Sequence, residues 1–284
     1  MKKLLLGTVA AAAVVVSPAL AADLPTKAPI LKAPPVVAVF NWTGCYIGAY
    51  GGGAWGGDVD THDPRSQGGA FPAGTFYNAP TANTVNGGAF SVDLRSSAIA
   101  GGTLGCNWQA PGSAFVWGIE GEGGYLRLRS KDVIDPFSVN ANNDTHFNVR
   151  VGDWYAVAAG RLGFAVDRTL FYAKGGVGFT EVKASFLDNC TTGGCGLGTL
   201  RTDGSKDRAF WVAGGGIEYA FDYNWSVKAE YLFLGLDHTF STCGPGGGTA
   251  AGSTFCSDVK VDGIHTAKIG INYRWGAGPV RARY

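Results

Sequence analysis

Residues 261–275 read VDGIHTAKIGINYRW, and their alternation decides the fold. Val261, His265, Ala267, Ile269, Ile271, Tyr273 and Trp275 share one parity, whereas Asp262, Thr266, Lys268, Asn272 and Arg274 share the other. A period of two is that of a β-strand, with successive side chains on opposite faces. One face here suits lipid and the other a polar interior. The same division recurs upstream. Trp225, Val227, Ala229, Tyr231 and Phe233 stand against Ser226, Lys228 and Glu230; Ile217, Tyr219 and Phe221 against Glu218. Trp117, Ile119 and Tyr125 oppose Glu120 and Glu122, and Trp154, Leu162 and Phe164 oppose Asp153, Tyr155 and Arg161.

Working outward from these segments, eight strands are expected, at 43–54, 96–108, 114–128, 149–165, 170–184, 208–221, 225–237 and 261–275. Their connections alternate in length. Segments 109–113, 166–169 and 222–224 are tight turns, while 55–95, 129–148, 185–207 and 238–260 are long loops. That asymmetry describes an all-β fold, an eight-stranded antiparallel transmembrane β-barrel with short periplasmic turns and long extracellular loops. An even strand number closes the sheet and leaves no edge. A soluble antiparallel sandwich would also alternate, and it is the competing architecture.

Composition fits the barrel. Glycine fills 45 positions, charged residues make up 16%, apolar residues 46% and aromatics 12%. Disorder requires the opposite balance, low hydrophobicity with high charge. The formal net charge of +1 offers no basic excess for a phosphate backbone, so nucleic acid is not an expected partner. No GxxxxGK[ST] loop is present either. Glycines at 101–102, 123–124, 175–176 and 214–216 fall inside strands, where they let a narrow barrel bend and make room for facing large side chains.

The N-terminus reads as an export signal. Met1, Lys2 and Lys3 precede an apolar run from Leu4 to Val16, and Ala19 and Ala21 fit cleavage after Ala21. Residues 1–21 are the expected signal peptide, 22–40 a proline-rich periplasmic leader and 41–284 the barrel. No later run reaches the ~20 apolar residues of a spanning helix, which says nothing against strands.

The inward parity collects both signs: Glu120, Glu122, Glu218 and Glu230 with Arg161, Lys174, Lys228, Lys268 and Arg274. Eight strands leave an interior wide enough only for side chains. These charges are therefore expected to pair as a structural plug, since an unpaired ion in a narrow lumen is costly. Aromatics near the tight turns (Trp42, Tyr46, Trp108, Phe115, Phe164, Phe171, Phe221, Trp225, Tyr273 and Trp275) are expected to form an interfacial girdle.

Several segments carry a family resemblance: NWTGCYIGAYGGGAWGG from Asn41, AGGTLGCNWQ, WGIEGEG, GRLGFAVDRTLFYAKGGVGF from Gly160, WSVKAEYLFLGL and the closing KIGINYRWGAGPVRARY. Together they resemble the small outer-membrane barrels of alphaproteobacteria, the Brucella and rhizobial surface-barrel group of the OmpA/OmpX-like superfamily. The resemblance implies a porin-family surface protein of a Gram-negative outer membrane, with a role in envelope integrity. It also implies lipid and lipopolysaccharide as surroundings and the barrel-assembly machinery as a partner. The terminal Tyr284 resembles the aromatic insertion signal of such proteins. Alternatives are a narrow channel for small solutes, and an adhesin or haem-binding protein acting through the long loops, where Phe71, Phe76 and Tyr77 stand.

The cysteines depart from that family, whose members usually carry aromatics at the positions of Cys45 and Cys106. These two lie near the same end of neighbouring antiparallel strands, and a cross-strand disulfide is expected, with two separate thiols as the alternative. Cys190 and Cys195 share one loop, and Cys243 and Cys256 another, so local bridges are expected there. A zinc site is the competing reading, but the spacings are C-x4-C and C-x12-C with no nearby His pair. No metal, cofactor or enzyme activity is expected. His62, His146, His238 and His265 fall at no recognisable catalytic spacing, and GxSxG is absent.

Overall fold

In the computed structural model, the described residues are 40–62, 89–131, 133–134, 145–188, 200–237, 239–245 and 254–275. The chain divides into two units, Met1–Val36 and Val37–Tyr284, and every described residue lies in the second. The expected signal peptide and all of the leader except Phe40 lie outside the described residues, as do Phe71, Phe76, Tyr77, Cys190, Cys195, His238 and Tyr284.

Eight long strands build the wall: β1 (Gly44–Gly56), β4 (Ser97–Gln109), β5 (Phe115–Ser130), β7 (Thr145–Val166), β8 (Thr169–Asp188), β9 (Leu200–Ala220), β10 (Trp225–Gly235) and β13 (Ile264–Trp275). Each pairs antiparallel with its neighbours, and β1 pairs with β13 to close the barrel. The outer face is apolar because one parity of every strand is apolar. Ile269 is 68% exposed and Leu162 64%. Aromatics mark both borders of this band. Phe115, Phe164, Phe171, Trp225 and Trp275 lie outside near the turns, and Trp55, Tyr125, Trp154, Phe179 and Trp211 lie outside near the loops. Trp211 on β9 and Phe221 just past its end are separated by ~33 Å of extended chain, which is ~25 Å of height at a tilt of ~40°. That matches the hydrocarbon band of an outer-membrane barrel.

Parts of the expected long loops 55–95, 129–148, 185–207 and 238–260 are strand. Five further strands, β2 (Asp58–His62), β3 (Ala89–Arg95), β6 (Val133–Ile134), β11 (Thr239–Pro245) and β12 (Thr254–Val261), lie within them, and β7, β8 and β9 extend into them. β11 pairs with β12, β12 with β2, β2 with β3 and β3 with β5. On the remaining side the Thr202 and Thr242 hydroxyls of β9 and β11 approach to 3.3 Å. A second tier thus continues the wall past the lipid band. Its reason is chemical: the inward residues remain apolar (Val59, Leu94, Leu128, Phe147, Phe186, Val259) and bury a core, while the outward ones become polar.

Three placements differ from expectation. Val261 is buried inside and Asp262 is partly exposed, because residues 262–263 break the strand and reset its phase between β12 and β13. Asp153 leaves the inward parity at a bulge of β7, where it and Gly152 have φ of 96° and 102°. Trp42 and Tyr46 are each only 1% exposed and belong to the interior, not to the girdle.

Candidate functional site

The barrel interior is layered. At the turn end, Phe40 and Trp42 pack with Val116, Ala165, Leu170 and Tyr172. Trp42 is held across the opening by its backbone N–H, which donates to Gln109 Oε1 at 2.7 Å. At the loop end lies the apolar core of the second tier, including Ile99, Leu126, Phe210, Leu232 and Ile264. Between them is an ionic layer.

Four carboxylates meet four cations there. Lys174 Nζ lies 2.6 Å from Glu120, 2.8 Å from Glu122 and 3.2 Å from Glu230. Lys268 bridges Glu122 at 2.7 Å and Glu230 at 3.0 Å, and Lys228 lies 3.2 Å from Glu120. Arg161 joins Glu218 at 2.7 Å to Glu120 at 3.4 Å. The side chains of Lys174, Glu120, Glu122 and Glu230 are 0% exposed. Charges so withdrawn from water are tolerable only when paired and hydrogen-bonded, and here nearly every valence is met.

Hydroxyls and amides complete the layer. Tyr46 donates to Glu120 at 2.5 Å, Tyr172 to Glu230 at 2.9 Å, Ser226 to Glu218 at 2.6 Å and Asn272 to Glu218 at 2.8 Å. The Arg161 guanidinium stacks 3.8 Å from the Tyr172 ring centroid, and the Tyr50 and Tyr155 hydroxyls share a hydrogen bond. Side chains from β1, β5, β7, β8, β9, β10 and β13 are thereby tied across the lumen. Glycine makes the space: a Cβ at Gly105 would meet the Tyr46 hydroxyl at 2.5 Å, and one at Gly101 the Tyr50 hydroxyl at 2.3 Å.

Arg274 is placed apart from this network. It is buried at the turn end, donates to the Tyr223 carbonyl at 3.0 Å and lies 4.7 Å from the Phe40 ring and 5.1 Å from that of Trp42. No carboxylate pairs with it among the described residues. Tyr46, Tyr172, Ser226 and Asn272 are members of the layer that charge alone did not single out. Their inward parity was the available signal.

Glu120, Glu122 and Glu230 bring carboxylate oxygens within 4.8 Å of one another, a spacing that could hold a metal ion. The Lys174 ammonium already touches all three, so its charge stands where a cation would. His265 faces outward, with its Nδ1 2.6 Å from the Tyr231 hydroxyl and no carboxylate partner among the described residues. On the outer face of the wall, Cys45 and Cys106 are directly opposed on β1 and β4 and form a disulfide. Cys243 is disulfide-bonded as well, and the β11–β12 register sets it opposite Cys256.

The family match and the curated relatives agree with this architecture. The outer membrane protein beta-barrel domain matches residues 8–275. The 31 kDa outer-membrane immunogenic protein of Brucella melitensis is 29% identical over 97% of this chain and 100% of its own length, and its Brucella suis counterpart matches equally. Among solved structures, the outer membrane protein OprG of Pseudomonas aeruginosa is 14% identical with a TM-score of 0.43, covering 83% of this chain and 98% of its own.

Proposed function

The chain belongs to the outer membrane protein β-barrel family and resides in the outer membrane of a Gram-negative cell, and on that premise we propose that it is a structural barrel contributing to envelope integrity, with a lumen that does not conduct. The observation that carries this reading is the ionic layer, whose central side chains are 0% exposed. A solute crossing the lumen would have to separate these pairs, and breaking a buried pair costs ~3–5 kcal/mol. It would also have to displace the aromatic cap at one end and the apolar core at the other. The channel alternative needs a continuous polar path, and two apolar layers oppose it.

The reading gives the lumen carboxylates no catalytic role. The buried carboxylates are engaged by cations and lie out of reach of a substrate, and catalysis requires a group within hydrogen-bond reach of the reacting atoms. A strain lacking the protein tests the proposal. Its outer membrane should admit more of a hydrophobic dye, and uptake of small hydrophilic solutes should not fall. Reduced solute uptake with an unchanged dye barrier would overturn it.

A further inference from the structure

Above the lipid band, the outer surface carries an arrangement that barrel closure does not require. Arg95 on β3 faces Arg129 on β5, Arg129 faces Arg150 on β7, and Arg150 faces Lys183 on β8, each directly across the ladder. Their inward neighbours Leu128, Val151 and Val182 are buried, so all four cations lie on the outside. Like charges directly opposed across strands repel one another. Four in one row, spanning ~14 Å at ~4.8 Å per strand, call for counter-charge.

The protein supplies only part of it. Asp153, pushed outward by the β7 bulge, pairs with Arg127, lies 3.4 Å from Arg150 and 3.8 Å from Lys183, and Glu181 lies 2.7 Å from Lys183. Arg95 and Arg129 make no ion pair among the described residues. Arg95, Arg127, Arg129, Arg150 and Lys183 are thus matched by two carboxylates on their own strands, Asp153 and Glu181. The row borders a depression of about 510 Å³ lined by Arg129, Asn148, Arg150, Lys183, Ser205 and Asp203, so amide and hydroxyl groups stand beside the charges, and the Asp203 carboxylate is taken up by Arg201 at 2.6 Å. Elsewhere on the rim the balance differs: β2 and β12 carry Asp58, Asp60 and Asp258 with Lys260, and β3 carries Asp93 as well as Arg95.

Height identifies the source of the missing anion. Tyr125, Trp154 and Phe179 are outward aromatics, each four residues below a member of the row on its own strand. Four residues of tilted strand rise ~10 Å. Interfacial aromatics sit at the border of the hydrocarbon, and the headgroup layer extends ~5–8 Å beyond it. Long Arg and Lys side chains reach down into that layer.

From this register and height we infer that Arg95, Arg129, Arg150 and Lys183 form a docking site for the phosphorylated headgroup of an outer-leaflet glycolipid, with two phosphates along the row. Guanidinium groups hold phosphate oxygens through paired charge-assisted hydrogen bonds. The site deepens the structural reading, because a lipid held on the wall would fix the barrel within its leaflet. It rests on the membrane placement and not on the sealed lumen, so lipid retention and conductance fail separately.

The test uses the full chain purified in non-ionic detergent, its fold verified by a heat-dependent gel shift, and native mass spectrometry with three probes: bisphosphorylated lipid A, the same lipid stripped of phosphate, and inorganic phosphate. The wild type should retain the bisphosphorylated lipid. Arg129→Gln with Arg150→Gln should weaken retention at least ~10-fold, the loss of two charge-assisted bonds. Asp153→Asn should tighten it ~3-fold by removing a competing anion, and asparagine tolerates the positive φ of that position. Lys260→Gln, in the acidic sector, should leave it unchanged. Equal retention of the dephosphorylated lipid, wild-type retention by the double variant, or displacement of the lipid by equimolar inorganic phosphate would each overturn the proposal. Should the double variant not fold, Asp153→Asn decides alone: tightening supports the site, and unchanged or weaker retention overturns it.

Discussion

Replacing Lys174 by methionine probes the interior most severely. The substitution keeps volume and chain length but removes the ammonium that lies within 3.2 Å of Glu120, Glu122 and Glu230. Three cations, Arg161, Lys228 and Lys268, then face four carboxylates, and three of those carboxylates have oxygens within 4.8 Å of one another. Leaving one buried charge uncompensated costs ~3–5 kcal/mol, so the variant should lose that much stability. Adding Glu122→Gln restores neutrality while keeping a hydrogen-bonding group beside Lys268, and the double variant should be more stable than Lys174→Met alone by ~2 kcal/mol. Urea unfolding in detergent micelles, followed by tryptophan fluorescence and by the heat-dependent gel shift, measures each corner of the cycle. A loss below ~1 kcal/mol for Lys174→Met, or strictly additive effects in the double variant, would refute a tightly coupled ionic layer.

Other consequences are equally accessible. The Cys45–Cys106 bridge closes a loop with a sequence separation of 61, so the Cys45→Ser/Cys106→Ser variant should lose ~2–4 kcal/mol of stability, read as a shift of the urea midpoint from the wild type. Gly105→Val should cost ~1–3 kcal/mol or abolish folding, because its Cβ would lie 2.5 Å from the Tyr46 hydroxyl and 2.8 Å from the Ile119 carbonyl; a wild-type midpoint would contradict the packing. Desolvation, followed by the facing Asp93 and by Asp262 and Asp60, holds the Asp58 carboxyl above its ordinary range. The resulting strain is present above the raised folded-state value and is relieved as pH falls through it. Asp93→Asn should therefore lower the Asp58 midpoint in a carbon NMR titration, and an unchanged midpoint would dismiss the repulsion.

The wall was legible because lipid on one side and ions on the other impose a strict period of two, visible at Trp225–Phe233 and at Ala267–Trp275. The second tier was less so. Its alternation is real, but it loses phase at Asp262–Gly263 and at the Gly152–Asp153 bulge, and its polar outer face resembles a loop when read by composition. Tyr46 shows a different limit: an aromatic near a strand end fits a girdle and a lumen equally, and only its parity with Tyr50 separates them. Arg274 shares the inward parity of Lys268, yet parity fixes the side and not the depth, so its distance from the carboxylates could not be read. The row from Arg95 to Lys183 was hidden altogether, because its members are scattered along the chain and meet only through cross-strand register.

The sealed lumen is tested most directly by recording from the folded protein in a planar lipid bilayer. A membrane holding gel-shift-verified barrels should stay at baseline conductance under moderate voltage, as should Trp42→Ala, in which the ionic layer remains beneath the missing cap. Stable, uniform single-channel steps from the wild-type protein would contradict the account.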